Sequence, residues 1–427
     1  MQQKHLLYVL LDGLGDLPVK DFGGRTPLEA AKTPNMDSIA CRARMGSVHT
    51  VGKGIAPESD VAVISMLGYD PVKTYTGRGP IEAFGSGMEM EDGDLALRCN
   101  FATVDSSFRI IDRRCGRSLS TEEAQQLADA INRGVRLRSH EATVQFRATV
   151  GHRGVLLIKA KDVVLSGNIS NTDPAYLKME GLGLAATKFE NKVVRCTPLD
   201  RTKGARIAAE LVQEFTEKSH VLLDSHPLNA SRKAMGKPVA NAILSRDAGS
   251  RLPRFEPVLS KYGIEFASMV EMPVERGIAL LSGMDLVEMA PPSGDLGVDY
   301  ARRAAQASDL LQTYGAVYVH IKGPDEPAHN GDCAAKKRSI ELIDEHFFGN
   351  LKLDLSCTVI AVTADHSTPC TLHSHSDDPV PLMVAGPGIR GDGMGRFGEG
   401  AAARGSLGML NGQGVLPTIF GLSSQPQ

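Results

Sequence analysis

The sequence predicts an α/β fold: a doubly wound, mostly parallel sheet split by an inserted α+β domain. Three observations predict it. Apolar, β-branched runs without polar alternation, such as Val317 to Ile321 and Val359 to Thr363, suit strands buried on both faces of a parallel sheet. Strand and helix patterns alternate at the two ends of the chain but not in its middle. Candidate ligand residues come from both ends, so the middle reads as an insertion.

The elements follow in order. Lys4 to Leu11 reads as a strand and Pro34 to Arg42 as a helix opened by proline. A Gly/Pro loop from Gly54 leads to Ser59 and a helical stretch from Asp60 to Leu67. In the middle, Ser120-Thr-Glu-Glu123 is a capping box that opens a helix to about Asn132. Ala142 to Val150 and Arg153 to Ala160 read as strands, and Gly204 to Glu217 has apolar residues at helical spacing. The alternation resumes with helix Val298 to Tyr314, strand Ala316 to Ile321, helix Cys333 to Phe348 and strand Cys357 to Thr363. The Gly/Arg-rich stretch Gly386 to Gly408 reads as a loop. The expected division is residues 1–90 with 255–427 for the outer domain and 91–254 for the insertion.

Length and composition suit a large soluble enzyme. The 427 residues carry a net charge of only −3 and no long basic run, which argues against a nucleic-acid partner. No stretch approaches the ~18 apolar residues of a membrane span, and the run Leu6 to Leu11 is too short for a signal peptide. The seven cysteines are scattered without a C-x-x-C pair, so the expected compartment is a reducing cytoplasm.

Chemistry concentrates at strand ends. Asp12 follows the first strand, Asp325 and His329 follow the strand ending at Ile321, and Asp365-His366 follow the strand ending at Thr363. The i, i+4 spacing of Asp325 and His329 puts both on one face of a helical turn. His373-Ser-His375 precedes another apolar run. One such aspartate is usually a turn or cap residue. A set this size, at the carboxyl ends where α/β sheets place their sites, points to a dinuclear metal centre. Carboxylate with imidazole suits Mn²⁺ or Zn²⁺, and Mg²⁺ less well. Two such ions form the clamp used for in-line phosphoryl transfer. Ser59 is the candidate nucleophile, at a helix N-terminus that attracts phosphate.

Eight segments carry a resemblance to a known family: Leu11-Asp-Gly-Leu-Gly-Asp16, Gly54-Ile-Ala-Pro-Glu-Ser-Asp-Val-Ala62, Thr76-Gly-Arg-Gly-Pro-Ile-Glu-Ala83, Arg98-Cys-Asn-Phe-Ala-Thr103, Asp112-Arg-Arg-Cys-Gly-Arg117, Lys322-Gly-Pro-Asp-Glu-Pro-Ala-His329, Thr363-Ala-Asp-His366 and His375-Ser-Asp-Asp-Pro-Val-Pro381. In these the chain resembles the archaeal-type cofactor-independent phosphoglycerate mutases of the alkaline phosphatase superfamily. The resemblance implies an alkaline phosphatase-like core and metal-dependent interconversion of 3-phosphoglycerate and 2-phosphoglycerate, a glycolytic step, through a phosphoserine at Ser59. It implies one ion held by Asp12, Ser59, Asp365 and His366 and another by Asp325, His329 and His375, with His373 the weaker choice. Mn²⁺ is the first expectation, with Mg²⁺, Zn²⁺ or Co²⁺ as alternatives, and no 2,3-bisphosphoglycerate is required. Glu58, Pro327, Ala328 and Asp247 depart from the family's usual small residues. The alternative activity is a related phosphotransferase, homoserine kinase-like, or a metal-dependent phosphatase.

The insertion carries a second cluster: Arg98, Asn100, Asp112, Arg113, Arg114, Arg117, Arg153, Asp173 and Arg246. Guanidinium forks match carboxylates and phosphates, so these residues, with Lys322, are expected to bind a small phosphorylated hydroxy acid. His152 is the candidate general base. Gly386-Pro-Gly-Ile-Arg-Gly391 matches G-x-G-x-x-G without a following helix, and Gly181-Leu-Gly-Leu-Ala-Ala186 lacks a preceding strand, so neither supports a dinucleotide site.

Overall fold

The structure, a computed structural model, describes residues 5–179, 182–185 and 188–423. Gly181 and Ala186 of the second glycine pattern, and Lys4 of the first strand, lie outside the described residues. The chain divides into two compact units, Met1–Thr74 with Arg254–Gln427, and Tyr75–Pro253. In chain order the strands are β1 His5–Leu11, β2 Arg44–His49, β3 Leu95–Val104, β4 Ile110–Asp112, β5 Ala142–Ala148, β6 Arg153–Ala160, β7 Tyr176–Met179, β8 Leu182–Ala185, β9 Ala242–Gly249, β10 Phe266–Met269, β11 Asp285–Leu286, β12 Ala316–Ile321, β13 Thr358–Thr363, β14 Val380–Ala385 and β15 Gly408–Asn411.

The first unit holds an eight-stranded sheet in the order β11-β10-β12-β1-β13-β14-β2-β15. β1 lies between β12 and β13 and runs parallel to both, with Leu7 opposite Val317 on one side and Ile360 on the other. β12 and β13 are buried along their whole length, as their unbroken apolar runs require. This order brings three carboxyl ends side by side. Asp12 follows β1, Lys322 and Asp325 follow β12, and Asp365-His366 follow β13. β14 departs from the parallel pattern and runs antiparallel to β13 and β2. An apolar run reads the same in either direction, so the sequence could not show this. The Gly386 to Gly408 stretch contains a single helical turn, Glu399–Ala402. No helix among the described residues is long and apolar enough to cross a membrane.

The second unit holds a sheet in the order β4-β3-β6-β5, with β9 on the other side of β3, and a separate β7-β8 hairpin. The helix Thr121–Gly134 has the full capping box of Ser120 and Glu123, and the helix Lys203–Asp224 runs beyond Glu217. The two-residue period of β3 sorts its side chains. Leu95, Leu97, Cys99 and Phe101 join Phe146, Leu127, Ile131 and Phe215 in the main core. Arg98 and Asn100 therefore share the opposite face with Ala96 and Ala102. The helix Arg78–Gly85, which the sequence placed in the outer domain, belongs to this unit. It lies so close to β3 that a Cβ on Gly79 would come within 2.3 Å of the Ala96 carbonyl oxygen. Glycine's lack of a side chain permits that approach.

Candidate metal centre and arginine cluster

In the first unit, Asp12, Asp365 and His366 place ligand atoms within 4.8 Å of one another, and so do Asp325, His366 and His375. His366 thus stands in both groups, where the sequence had assigned it to one. His329 adjoins the second group, with Nε2 3.2 Å from His375 Nε2 and 3.4 Å from Asp325 Oδ2. Ser59 is the first residue of the helix Ser59–Met66, and Glu58 occupies the N-cap position. Ser59 Oγ lies 3.1 Å from His366 Nε2. His373 is exposed, and only its carbonyl turns toward the cluster.

The histidines are oriented alike. His375 Nδ1 donates to the Pro57 carbonyl at 2.8 Å, and His329 Nδ1 to the His373 carbonyl at 3.0 Å. His366 Nδ1 meets Thr368 Oγ1 at 3.0 Å, while that hydroxyl donates to Asp325 Oδ1 at 2.7 Å. A hydrogen bond donated by Nδ1 orients each ring, so that in the neutral form Nε2 carries the lone pair a metal would take. All three Nε2 atoms face the carboxylates. The carboxylates are poised in the same way. Asp365 Oδ1 accepts from the backbone N–H groups of Gly13 and His366. Asp365 Oδ2 and Asp12 Oδ1 are buried and accept no hydrogen bond. Buried carboxylate oxygens left without a hydrogen bond, beside imidazole nitrogens, suit divalent cations. The residues present therefore fit two divalent ions.

Charge in this cluster is strained accordingly. Burial pushes the Asp12 carboxyl well above its ordinary range; Lys322 opposes this, while Asp365, Asp325 and Glu275 add to it. Burial also works against ionised Asp325, but contacts with His375, His366 and His329 hold it well below. Burial disfavours a charged His375, yet Asp325 and Glu58 raise it to about 10. Without metal, protons occupy the place of cations, and metal binding must displace them.

Lys322 belongs to the first unit and the arginines to the second. Its Nζ sits 3.1 Å from Asp12 Oδ2 and 2.5 Å from Glu275 Oε1. Sequence reasoning missed Glu275 and His320. His320 places Nδ1 3.4 Å from Glu275 Oε1 and Nε2 3.6 Å from Asp365 Oδ2. A histidine inside an apolar parallel strand was the one available signal; Glu275 lies in no motif.

In the second unit the balance is reversed. Arg78, Arg98 and Arg246 are buried with Glu82 and Asp247. Arg78 Nε donates to Glu82 Oε1 at 2.7 Å, and Arg98 Nε lies 3.7 Å from the same oxygen without a hydrogen bond. Burial, then Arg78 and Arg246, lower Arg98 to about 10. Asn100 Oδ1 is also buried without a partner. Arg246 stacks 3.5 Å over the Tyr176 ring and sits 3.4 Å from Asp247 Oδ2. Asp247 has φ 55°, where the β3–β9 register shifts. Aspartate tolerates this left-handed conformation better than most residues.

The remaining candidates lie on the same unit. Arg113 forks onto Asp173 at 3.0 and 2.8 Å, so these two candidate substrate-binding residues engage each other. Asp112 Oδ1 accepts the Arg114 N–H at 2.7 Å and shapes the turn. Asp112, Arg113, Arg114 and Arg117 line a cavity of about 330 Å³. Arg153 stands opposite Asn100 in register. His152 is lowered to about 3 by burial and by Arg153, Arg114, Arg117 and Arg98. It is therefore neutral, surrounded by cations.

Fold and site define a split, doubly wound α/β protein with carboxylates and imidazoles gathered at adjacent strand ends and an arginine cluster on its insertion. A family model described as 2,3-bisphosphoglycerate-independent phosphoglycerate mutase matches residues 40–229. A protein of that name from Aeropyrum pernix is 46% identical over 98% of this chain and 99% of its own length. One from Methanosphaera stadtmanae is 39% identical over 99% of each. Among solved structures, a Pyrococcus horikoshii protein aligns with TM-score 0.79 and 31% identity, over 100% of this chain and 99% of that one. The cofactor-independent phosphoglycerate mutase of Thermoplasma acidophilum aligns with TM-score 0.62 and 30% identity, over 99% and 100%. The chain belongs to the 2,3-bisphosphoglycerate-independent phosphoglycerate mutase family.

Proposed function

We propose that this protein interconverts 3-phosphoglycerate and 2-phosphoglycerate without added bisphosphoglycerate, with Ser59 as phosphoryl acceptor and two divalent ions, Mn²⁺ first among them. The observation that carries the reading is the shared orientation of His329, His366 and His375, each anchored through Nδ1 with Nε2 turned toward Asp12, Asp325 and Asp365. Asp12, Ser59, Asp365 and His366 would hold one ion, and Asp325, His329 and His375 the other. When bound, such a pair would favour the serine alkoxide and offset charge on the phosphoryl oxygens. Ser59 Oγ releases its proton and bonds to phosphorus as the bond from phosphorus to the glycerate oxygen breaks, and the departing oxygen takes up the proton that Ser59 released. The other glycerate hydroxyl then attacks phosphoserine, loses its proton and restores Ser59. Arg98, Arg246, Arg114, Arg117 and Arg153 supply donors for the carboxylate and phosphate, and neutral His152 can accept the hydroxyl proton. Seven free cysteines suit a reducing cytoplasm.

The test is Ser59→Ala, assayed with 3-phosphoglycerate and Mn²⁺ beside parental protein. Acid-quenched parental enzyme should carry a phosphate on the Ser59 peptide, and the variant should lose both the phosphate and nearly all turnover. Substantial mutase activity in Ser59→Ala would sink the assignment. Release of mostly inorganic phosphate by intact protein would favour the phosphatase alternative.

A further inference from the structure

Glu275 is only 1% exposed, and its two carboxylate oxygens do different things. Oε2 accepts the Met272 N–H at 3.4 Å, at the start of the helix Pro273–Leu281. Oε1 contacts two cationic or potentially cationic groups, Lys322 Nζ at 2.5 Å and His320 Nδ1 at 3.4 Å. The far side of each meets a carboxylate of the proposed centre: Lys322 reaches Asp12 Oδ2 at 3.1 Å, and His320 Nε2 reaches Asp365 Oδ2 at 3.6 Å.

A glutamate that served only to close a helix turn would do so equally well at the surface. Burying a carboxylate is costly unless it is paired, so the burial of Glu275 calls for its second oxygen. We infer that Glu275 is a positioning residue for the metal centre, holding Lys322 and His320 and through them Asp12 and Asp365. The inference rests on the metal-dependent reading above. Lys322 occupies Oδ2 of Asp12 and leaves Oδ1 turned toward His366 Nε2, 3.5 Å away. Without Glu275, the ammonium would have Asp12 as its nearest carboxylate and would compete with a divalent ion for it. Glu275 draws Lys322 back and shares its charge. His320 Nδ1 lies 3.4 Å from both Glu275 Oε1 and the Tyr318 hydroxyl, so Glu275 shares the orientation of this ring with Tyr318. Outer groups of this kind commonly tune metal affinity by ten- to a hundredfold.

The experiment compares parental protein with Glu275→Gln, which keeps shape and removes charge. Mn²⁺ is titrated by calorimetry into metal-free protein, and thermal unfolding and steady-state kinetics follow at saturating Mn²⁺. Weaker Mn²⁺ binding, by about tenfold, is expected, with a lower kcat and little change in KM for 3-phosphoglycerate. Parental Mn²⁺ affinity and kcat, with only a lower Tm, would overturn the inference and leave Glu275 a helix cap. Should Glu275→Gln fail to fold, Glu275→Asp retains the charge but withdraws it by one methylene. It should weaken Mn²⁺ binding about threefold to tenfold, and parental affinity there would overturn the inference as well. If parental protein binds Mn²⁺ but forms no 2-phosphoglycerate, the mutase reading fails while the calorimetric comparison still decides the role of Glu275.

Discussion

The strand-end cluster of the first unit and the β3–β9 face of the second are short of opposite things. Around Asp12, Asp325 and Asp365 there are buried acceptors in excess, with two carboxylate oxygens accepting no hydrogen bond. Around Arg98, a buried guanidinium donor, Arg98 Nε, is left without a hydrogen bond beside Arg78, Arg246, Glu82 and Asp247, which are buried with it. Uncompensated charge is expensive to bury. Under the proposed function, cations would complete the first region and the anionic substrate the second.

The largest expected effect breaks the first half of that contrast. Chelation of divalent ions should reduce formation of 2-phosphoglycerate by at least about a thousandfold, the scale of losing an activated nucleophile, and Mn²⁺ should restore it. Asp365→Asn should show the same loss with Mn²⁺ present. Full turnover by protein that elemental analysis finds metal-free would end the metal-dependent account.

The second half is tested by Arg98→Gln and Arg246→Ala. Each removes a charged donor, worth about 1.5–3 kcal/mol, so kcat/KM for 3-phosphoglycerate should fall about ten- to a hundredfold while Mn²⁺ affinity stays parental. A fall in Mn²⁺ affinity with unchanged KM would mean that these arginines are structural.

A stability measurement sharpens the contrast further. Mn²⁺ at a hundred times its Kd should stabilise the folded protein by about 2.7 kcal/mol. Asp12→Asn should abolish that gain. Because burial and the neighbouring carboxylates raise the folded Asp12 carboxyl above its unfolded value, its ionisation destabilises the metal-free fold as pH rises beyond the ordinary aspartate range. Metal-free Asp12→Asn should therefore be more stable than the parent at pH 8 and indistinguishable from it near pH 3.5. An equal deficit at both pH values would show that Asp12 serves packing alone.

The smallest effect concerns His152. Its folded value of about 3 lies below that of an unfolded histidine, so its imidazole should show no NMR titration between pH 5 and 8. Stability linked to it should be lost only as pH falls below about 6.5. Adding 3-phosphoglycerate should raise its pKa, since an anion offsets the surrounding arginines. Titration near 6.5 in the free protein would place His152 outside the arginine field.

Much of the strand-end cluster was legible because position along a strand is written in the sequence. An apolar run has an end, and Asp12, Asp325, Asp365 and His366 follow such ends. Glu275 was not legible, because its partners His320 and Lys322 lie on β12 and just after it, and only the order β10-β12-β1 makes them neighbours. The contact of Lys322 with Asp12 was not legible for the same reason: residue type suggested an anion binder but could not show which carboxylates lie beside it. The edge of the insertion was misread at Arg78–Gly85, where an ordinary helical pattern hides a close backbone approach at Gly79.

Two of the three histidines are steered by main-chain carbonyls, those of Pro57 and His373. A carbonyl has no codon of its own. Positions 57 and 373 can therefore change identity while the oxygen that does the steering persists, provided the loop keeps its course. In a mutational scan His373→Ala should look nearly silent and His375→Ala lethal to turnover, because position 373 meets His329 through its carbonyl. Tolerance to substitution at position 373 would then report the chemistry of the backbone rather than the unimportance of the site.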